Sequence, residues 1–101
     1  MSEYEVKSIT KPNRLSPHEH ITHIGNNSTA PCWRMTREKA IKWIDEKIAQ
    51  FYTVDTQTGQ KIYLYVVREQ GKNPYLRSAA DGKWRDNLLA LADCNQFCQL
   101  I

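Results

Sequence analysis

Apolar residues along this chain keep two periods, and the change from one to the other marks its elements. Tyr4, Val6 and Ser8 alternate with Glu3, Glu5 and Lys7, which predicts a half-buried strand at the start, ended by Pro12-Asn13. His18-Glu19-His20-Ile21-Thr22-His23-Ile24, bounded by Pro17 and Gly25, predicts a second strand, and the turn-formers from Asn26 to Pro31 predict a loop. From Thr36 to about Ala49 the period lengthens: Ala40, Ile41, Ile44 and Ile48 recur at helical spacing and predict an amphipathic helix. Thr36 suits its N-cap, where a hydroxyl contributes about 1 kcal/mol. Met35 can staple onto Ala40, Glu38 stands in the first turn where the dipole favours an anion, and Glu38 and Lys42 are an i,i+4 pair.

The period then drops to two. Phe51 to Thr56 and Lys61 to Arg68 are rich in β-branched and aromatic residues around the turn-forming Asp55 to Gln60, which predicts a β-hairpin. In its second arm Ile62, Leu64 and Val66 share one face while Tyr63, Tyr65 and Val67 share the other. Neither face is polar, so this strand is expected at the centre of its sheet, or covered on its second face by a loop or a partner. Gln70 to Pro74 turns the chain back, Tyr75 to Ser78 predicts a further strand, and Asp81-Gly82 a turn. Asp86 stands where it would cap a short helix carrying Leu88, Leu89 and Leu91, and Leu100-Ile101 is expected to pack down. The expected fold is α+β, a single domain over residues 1–101: an antiparallel sheet of four or five strands with the main helix on one face and a short C-terminal helix.

Composition narrows the classes. A chain of 101 residues has room for one core, since it buries roughly 60 to 70% of its unfolded surface. Its 41% hydrophobic and 25% charged residues set it apart from disordered chains. The polar, acidic opening Met1-Ser2-Glu3-Tyr4-Glu5 does not resemble a signal peptide, and no apolar run approaches membrane-spanning length, so the expectation is a cytoplasmic protein without a membrane partner. The three cysteines, Cys32, Cys94 and Cys98, are an odd set, which points away from a disulfide framework and towards a reducing compartment. A net charge of +3 is only mildly basic, whereas dedicated nucleic-acid binders carry denser clusters.

Several stretches together resemble a known family: Lys11-Pro12-Asn13, His18 to Gly25, Thr36-Arg37-Glu38, and Pro74-Tyr75-Leu76-Arg77-Ser78 followed by Asp81-Gly82 and Asp86-Asn87-Leu88-Leu89. The family consists of small bacterial domains catalogued as a domain of unknown function. The likeness runs nearly to Cys94 and implies a compact stand-alone domain, with no catalytic or binding residue to carry over.

Four groups of residues bear on chemistry. His18, His20 and His23 with Cys32 are zinc-ligand types, but alternation along a strand sends His23 away from the other two, and the spacing matches no established zinc pattern. Hydrogen-bonded strand and loop histidines are the favoured reading, and no cofactor is expected. Cys94 and Cys98, four apart, would share a face if helical and read as small buried thiols. Ser78, Asp81 and the early histidines can be assembled as a nucleophile and base only on paper, with no nucleophile elbow and no Gly-rich loop, so the chain is not read as an enzyme. The fourth group is Arg68, Lys72, Tyr75, Arg77, Lys83, Trp84 and Arg85. Its five cations stand against Glu69 and Asp81, five minus two giving +3, equal to the excess of the whole chain. Basic side chains among aromatics anchor protein partners and also grip nucleic acid. The expected role is a non-enzymatic binding or regulatory module with a protein partner, the alternatives being a nucleic-acid-binding domain and a small zinc-binding domain using His18, His20, His23 and Cys32. The hairpin's two apolar faces fit a homodimer or burial within the sheet equally.

Overall fold

A computed structural model of the chain describes residues 2–12, 20–80, 82–85, 88, 91–94 and 97–101, Arg85 by its backbone alone. The opening strand is in fact two. β1 (Ser2–Glu5) and β2 (Ser8–Thr10) are separated where the Val6 N–H donates to the Tyr52 carbonyl at 2.7 Å and the Lys7 N–H to that of Gly25 at 2.9 Å. The chain thereby crosses from one sheet to another within two residues. The alternation was correct, since Val6 and Ser8 are fully buried, but it does not report which sheet each residue joins.

The second strand, β3, is His23–Asn26, reaching one residue into the expected loop, and it pairs antiparallel with β4 (Trp33–Thr36). Gly25 allows this close approach: a Cβ there would stand 2.5 Å from the Trp33 carbonyl oxygen. Helix α1 (Arg37–Asp45) begins as expected, with Thr36 Oγ1 accepting from the Lys39 N–H at 3.3 Å. It ends earlier. Lys47 takes a left-handed φ of 58° and the chain enters β5 (Ala49–Val54), so Ile48, counted on the apolar stripe, is 48% exposed. Glu38 bonds Arg37 Nε at 2.9 Å instead of pairing with Lys42.

The hairpin is present as β5 and β6 (Lys61–Val67), followed by β7 (Tyr75–Ala80) and β8 (Lys83–Arg85). Two further two-residue strands, β9 (Ala92–Asp93) and β10 (Gln99–Leu100), follow the segment where a short C-terminal helix was expected. Asp86, Asn87 and Leu89 of that expected helix lie outside the described residues. Among those that are described, Leu88 is buried and α1 is the only α-helix.

These strands form two mixed five-stranded sheets, ordered β1-β5-β6-β7-β8 and β10-β4-β3-β2-β9, in place of a single antiparallel one. Three pairings are parallel: β1 on β5, β10 on β4 and β2 on β9. Helix α1 packs on strands of both sheets, and the core of Val6, Ile9, Ile24, Met35, Ile41, Phe51, Leu64 and Leu76 draws on both sheets and the helix. Tyr4 joins them, its ring 5.7 Å from Trp33 and Phe51 and 6.0 Å from Trp43.

The cysteines correct the sequence reading. Cys32 and Cys98 form a disulfide across 66 residues, and Cys94 is the free, half-buried thiol, 3.4 Å from Ser8 Oγ. An odd count leaves room for one pair and a remainder.

Candidate interaction surface

Strand β6 is central, as its two apolar faces predicted, and burial separates those faces. Ile62 and Leu64 point into the core at 2% and 4% exposure, whereas Tyr65 is 50% exposed on the outer side. Alternation and register extend this outer face across the sheet. Tyr52 pairs with Tyr63, Tyr63 with Ala79 and Ala79 with Trp84, a continuous row over β5 to β8. In the next row Tyr65 lies opposite Arg77. The Arg77 guanidinium sits 5.6 Å from the centre of the Trp84 ring, a cation over an aromatic face. Trp84 is nonetheless 49% exposed.

At the β1 edge the same face is more polar. Glu3 accepts from Lys61 Nζ and from the Tyr63 hydroxyl, each at 3.2 Å, while Lys61 also lies 4.7 Å over the Tyr52 ring. The hydrogen bond to Glu3 raises the Lys61 pKa. Partial desolvation, then the bond to Glu3, raises that of Tyr63. At the opposite end a groove of about 330 Å³ is lined by Tyr65, Ala79, Ala80, Gly82, Lys83 and Trp84. Gly82, at φ 75°, provides the left-handed residue the β7–β8 turn requires.

The structure brings together only part of the predicted set. Lys83 and Trp84 line the groove, and the Arg77 guanidinium lies over the Trp84 ring. Arg68 instead forms an ion pair with Asp45 at the end of α1. Tyr75 is 4% exposed and donates its hydroxyl to Glu69 at 2.8 Å, and Lys72 pairs with Glu69 at 3.3 Å. These two bonds, Tyr75's first, hold the Glu69 carboxyl below its usual pKa. The three residues thus stabilise the connection after β6. Arg85 lies on β8, with a side chain outside the described atoms. Sequence reasoning missed Tyr52, Tyr63 and Tyr65 as members of the surface, although the apolar outer face of β6 was the signal that pointed to them.

The described metal candidates do not converge. His18 lies outside the described residues, His20 is exposed, and Cys32 is bound in the disulfide and so offers no thiolate. His23 Nδ1 is 2.9 Å from Thr22 Oγ1. Among the described residues no three His, Cys, Asp or Glu side chains gather at one point. Ser78 is fully buried on β7, and Asp81, its partner on paper, is outside the described residues. Among the described residues no helix is long and apolar enough to cross a membrane.

A family model described as a protein of unknown function, DUF3892, matches residues 8–92. The chain belongs to the DUF3892 family. The match covers β2 through β8, including the whole aromatic row, and leaves β1 and β10 outside. No curated protein and no solved structure matches the chain.

Proposed function

We propose that this DUF3892 domain is a non-enzymatic binding module that contacts a protein partner through the outer face of the β1-β5-β6-β7-β8 sheet. The observation carrying this is the row Tyr52, Tyr63, Ala79 and Trp84 with Tyr65 and Arg77 beside it, in which Tyr65 and Trp84 are about half exposed. Leaving large aromatics exposed loses the roughly 25 cal/mol per Å² that burying them gains, and contiguous exposed apolar surface marks contact sites. Tyr, Trp and Arg are also the residue types that dominate binding hot spots.

A larger groove of about 510 Å³ runs along α1 past Lys39, Lys42 and Glu46. It is the weaker candidate, because charged side chains line most of it and its one ring, Trp43, is in contact with Tyr4 and Lys39. Nucleic acid is the second reading, supported by aromatics on an open sheet face. Its weakness is charge: on this face Lys61 is already matched by Glu3. The Cys32–Cys98 disulfide, a bond more frequent in oxidising compartments, weighs against the cytoplasmic location expected from the sequence.

The test is capture of a partner by the domain and by the triple variant Tyr65→Ala, Arg77→Ala, Trp84→Ala, with Lys39→Ala, Lys42→Ala as the control on α1. Loss of the partner in the triple variant alone is the expected result. Retention there, with loss in the α1 variant, would move the surface to the helix.

A further inference from the structure

We infer that a seam between β5 and β6 is a binding site for an uncharged aromatic small molecule of the carboxamide type. The site is separate from the protein-contact reading and does not rest on it. The pairing of the two strands stops short. Tyr52, Thr53 and Val54 pair with Tyr63, Ile62 and Lys61, whereas the rest of β5, Ala49 to Phe51, is paired with β1 and the rest of β6, Leu64 to Val67, with β7. Where the register ends a cavity of about 360 Å³ is lined by Ile44, Gln50, Tyr63, Leu64 and Tyr65. These residues come from both sides of the sheet. Gln50 is exposed and Tyr65 half-exposed on the outer side, while Leu64 belongs to the core and Ile44 packs against that core from α1. In a continuous sheet the backbone separates side chains of opposite faces, so one cavity reaches both only where strands part.

The lining selects the ligand. About 150 Å³ accommodates benzene, so a cavity of about 360 Å³ admits a ring with its substituent and falls at the lower end of small-molecule sites. Ile44 and Leu64 give it an apolar floor, and Tyr63 and Tyr65, two residues apart on one face of β6, give aromatic walls that a third ring meets offset or edge-on. Tyr63 is held in place, its hydroxyl donating to Glu3 at 3.2 Å and its ring 6.0 Å from that of Tyr52. Gln50 is the polar handle. Its amide both donates and accepts, and a carboxamide answers both with a pair of hydrogen bonds. Helix α1 and strands β5 and β6 are described throughout, and the five side chains they contribute are uncharged, so an ion would shed its hydration without a counter-charge from them. For an anion the Glu3 carboxylate bonded to Tyr63 adds repulsion.

The experiment is an NMR titration of the methyl-labelled domain with benzamide, benzoate, benzylamine, isobutyramide and toluene. Benzamide is expected to bind saturably and to show intermolecular NOEs from its ring to the Leu64 and Ile44 methyls. Leu64 is only 4% exposed, so NOEs to it require a ligand inside the seam, not one resting on the tyrosines. Isobutyramide, with the amide but no ring, is expected to bind about fivefold to tenfold more weakly than benzamide. Benzoate and benzylamine should bind more weakly than benzamide as well. Gln50→Leu should weaken benzamide by about threefold to tenfold and leave toluene unaffected. Ile44→Phe should fill the floor and abolish the response, and the NOEs decide the matter if that variant does not fold. No saturable binding of benzamide, NOEs confined to the tyrosine rings, an unchanged benzamide affinity in Gln50→Leu, or equal or tighter binding of benzoate, benzylamine or isobutyramide would each overturn the proposal.

Discussion

His23 shows how a residue with zinc-ligand chemistry is put to structural use. It lies on β3 opposite Thr36, and burial, reinforced by the positive charge of Arg34 and opposed by Glu38, lowers its pKa. The unfolded chain therefore takes up the proton first as the pH falls. Stability is full above the ordinary histidine value of about 6.5 and declines as the pH drops through it towards the folded pKa. Urea midpoints measured from pH 7.5 to pH 5 should fall for the native chain and fall less for His23→Gln. Parallel declines would show that His23 is not the group responsible.

Among the elements, β6 states the division between folding and binding most sharply, because neighbouring positions on one strand serve different ends. Leu64→Ala should cost about 2 to 5 kcal/mol, as emptied core sites do. Tyr65→Ala, one residue on and facing water, should change stability by no more than roughly 0.5 kcal/mol. Denaturant melts of both variants check this, and a large loss at Tyr65 would mean that its ring supports the fold. Much of this division was legible in the sequence: the hairpin, the central place of β6 and the cap of α1 all follow from local period and turn chemistry. The end of α1 was not, since Ile48 keeps the helical spacing while the chain is already leaving through Lys47 to supply β5. Strands β4, β9 and β10 were also hidden. They are short, and two of them pair in parallel with segments far away in sequence, so no local alternation marks them.

At the scale of the molecule, segments outside the family match complete the sheets. β1 lies along one edge of the first sheet and β10 along one edge of the second. The Cys32–Cys98 disulfide ties the second of these in place, assisted by the Gln99 N–H to the Cys32 carbonyl at 3.1 Å and Arg34 Nε to that of Cys98 at 3.1 Å. Closing a loop of 66 residues removes denatured-state entropy worth about 4 kcal/mol, so Cys32→Ser with Cys98→Ser should destabilise the domain by roughly 2 to 4 kcal/mol. Equal urea midpoints with and without a reducing agent would contradict this. The candidate surface, by contrast, is built from β5 to β8, inside the matched segment and on the sheet that does not carry the disulfide. Its binding should therefore persist in the double serine variant.

The most direct measurement is hydroxyl-radical footprinting of the domain alone and with its captured partner. Oxidation of Tyr65 and Trp84 should drop on complex formation while that of Trp43 beside α1 is unchanged. Protection of Trp43 with Tyr65 and Trp84 oxidised as before would contradict the account.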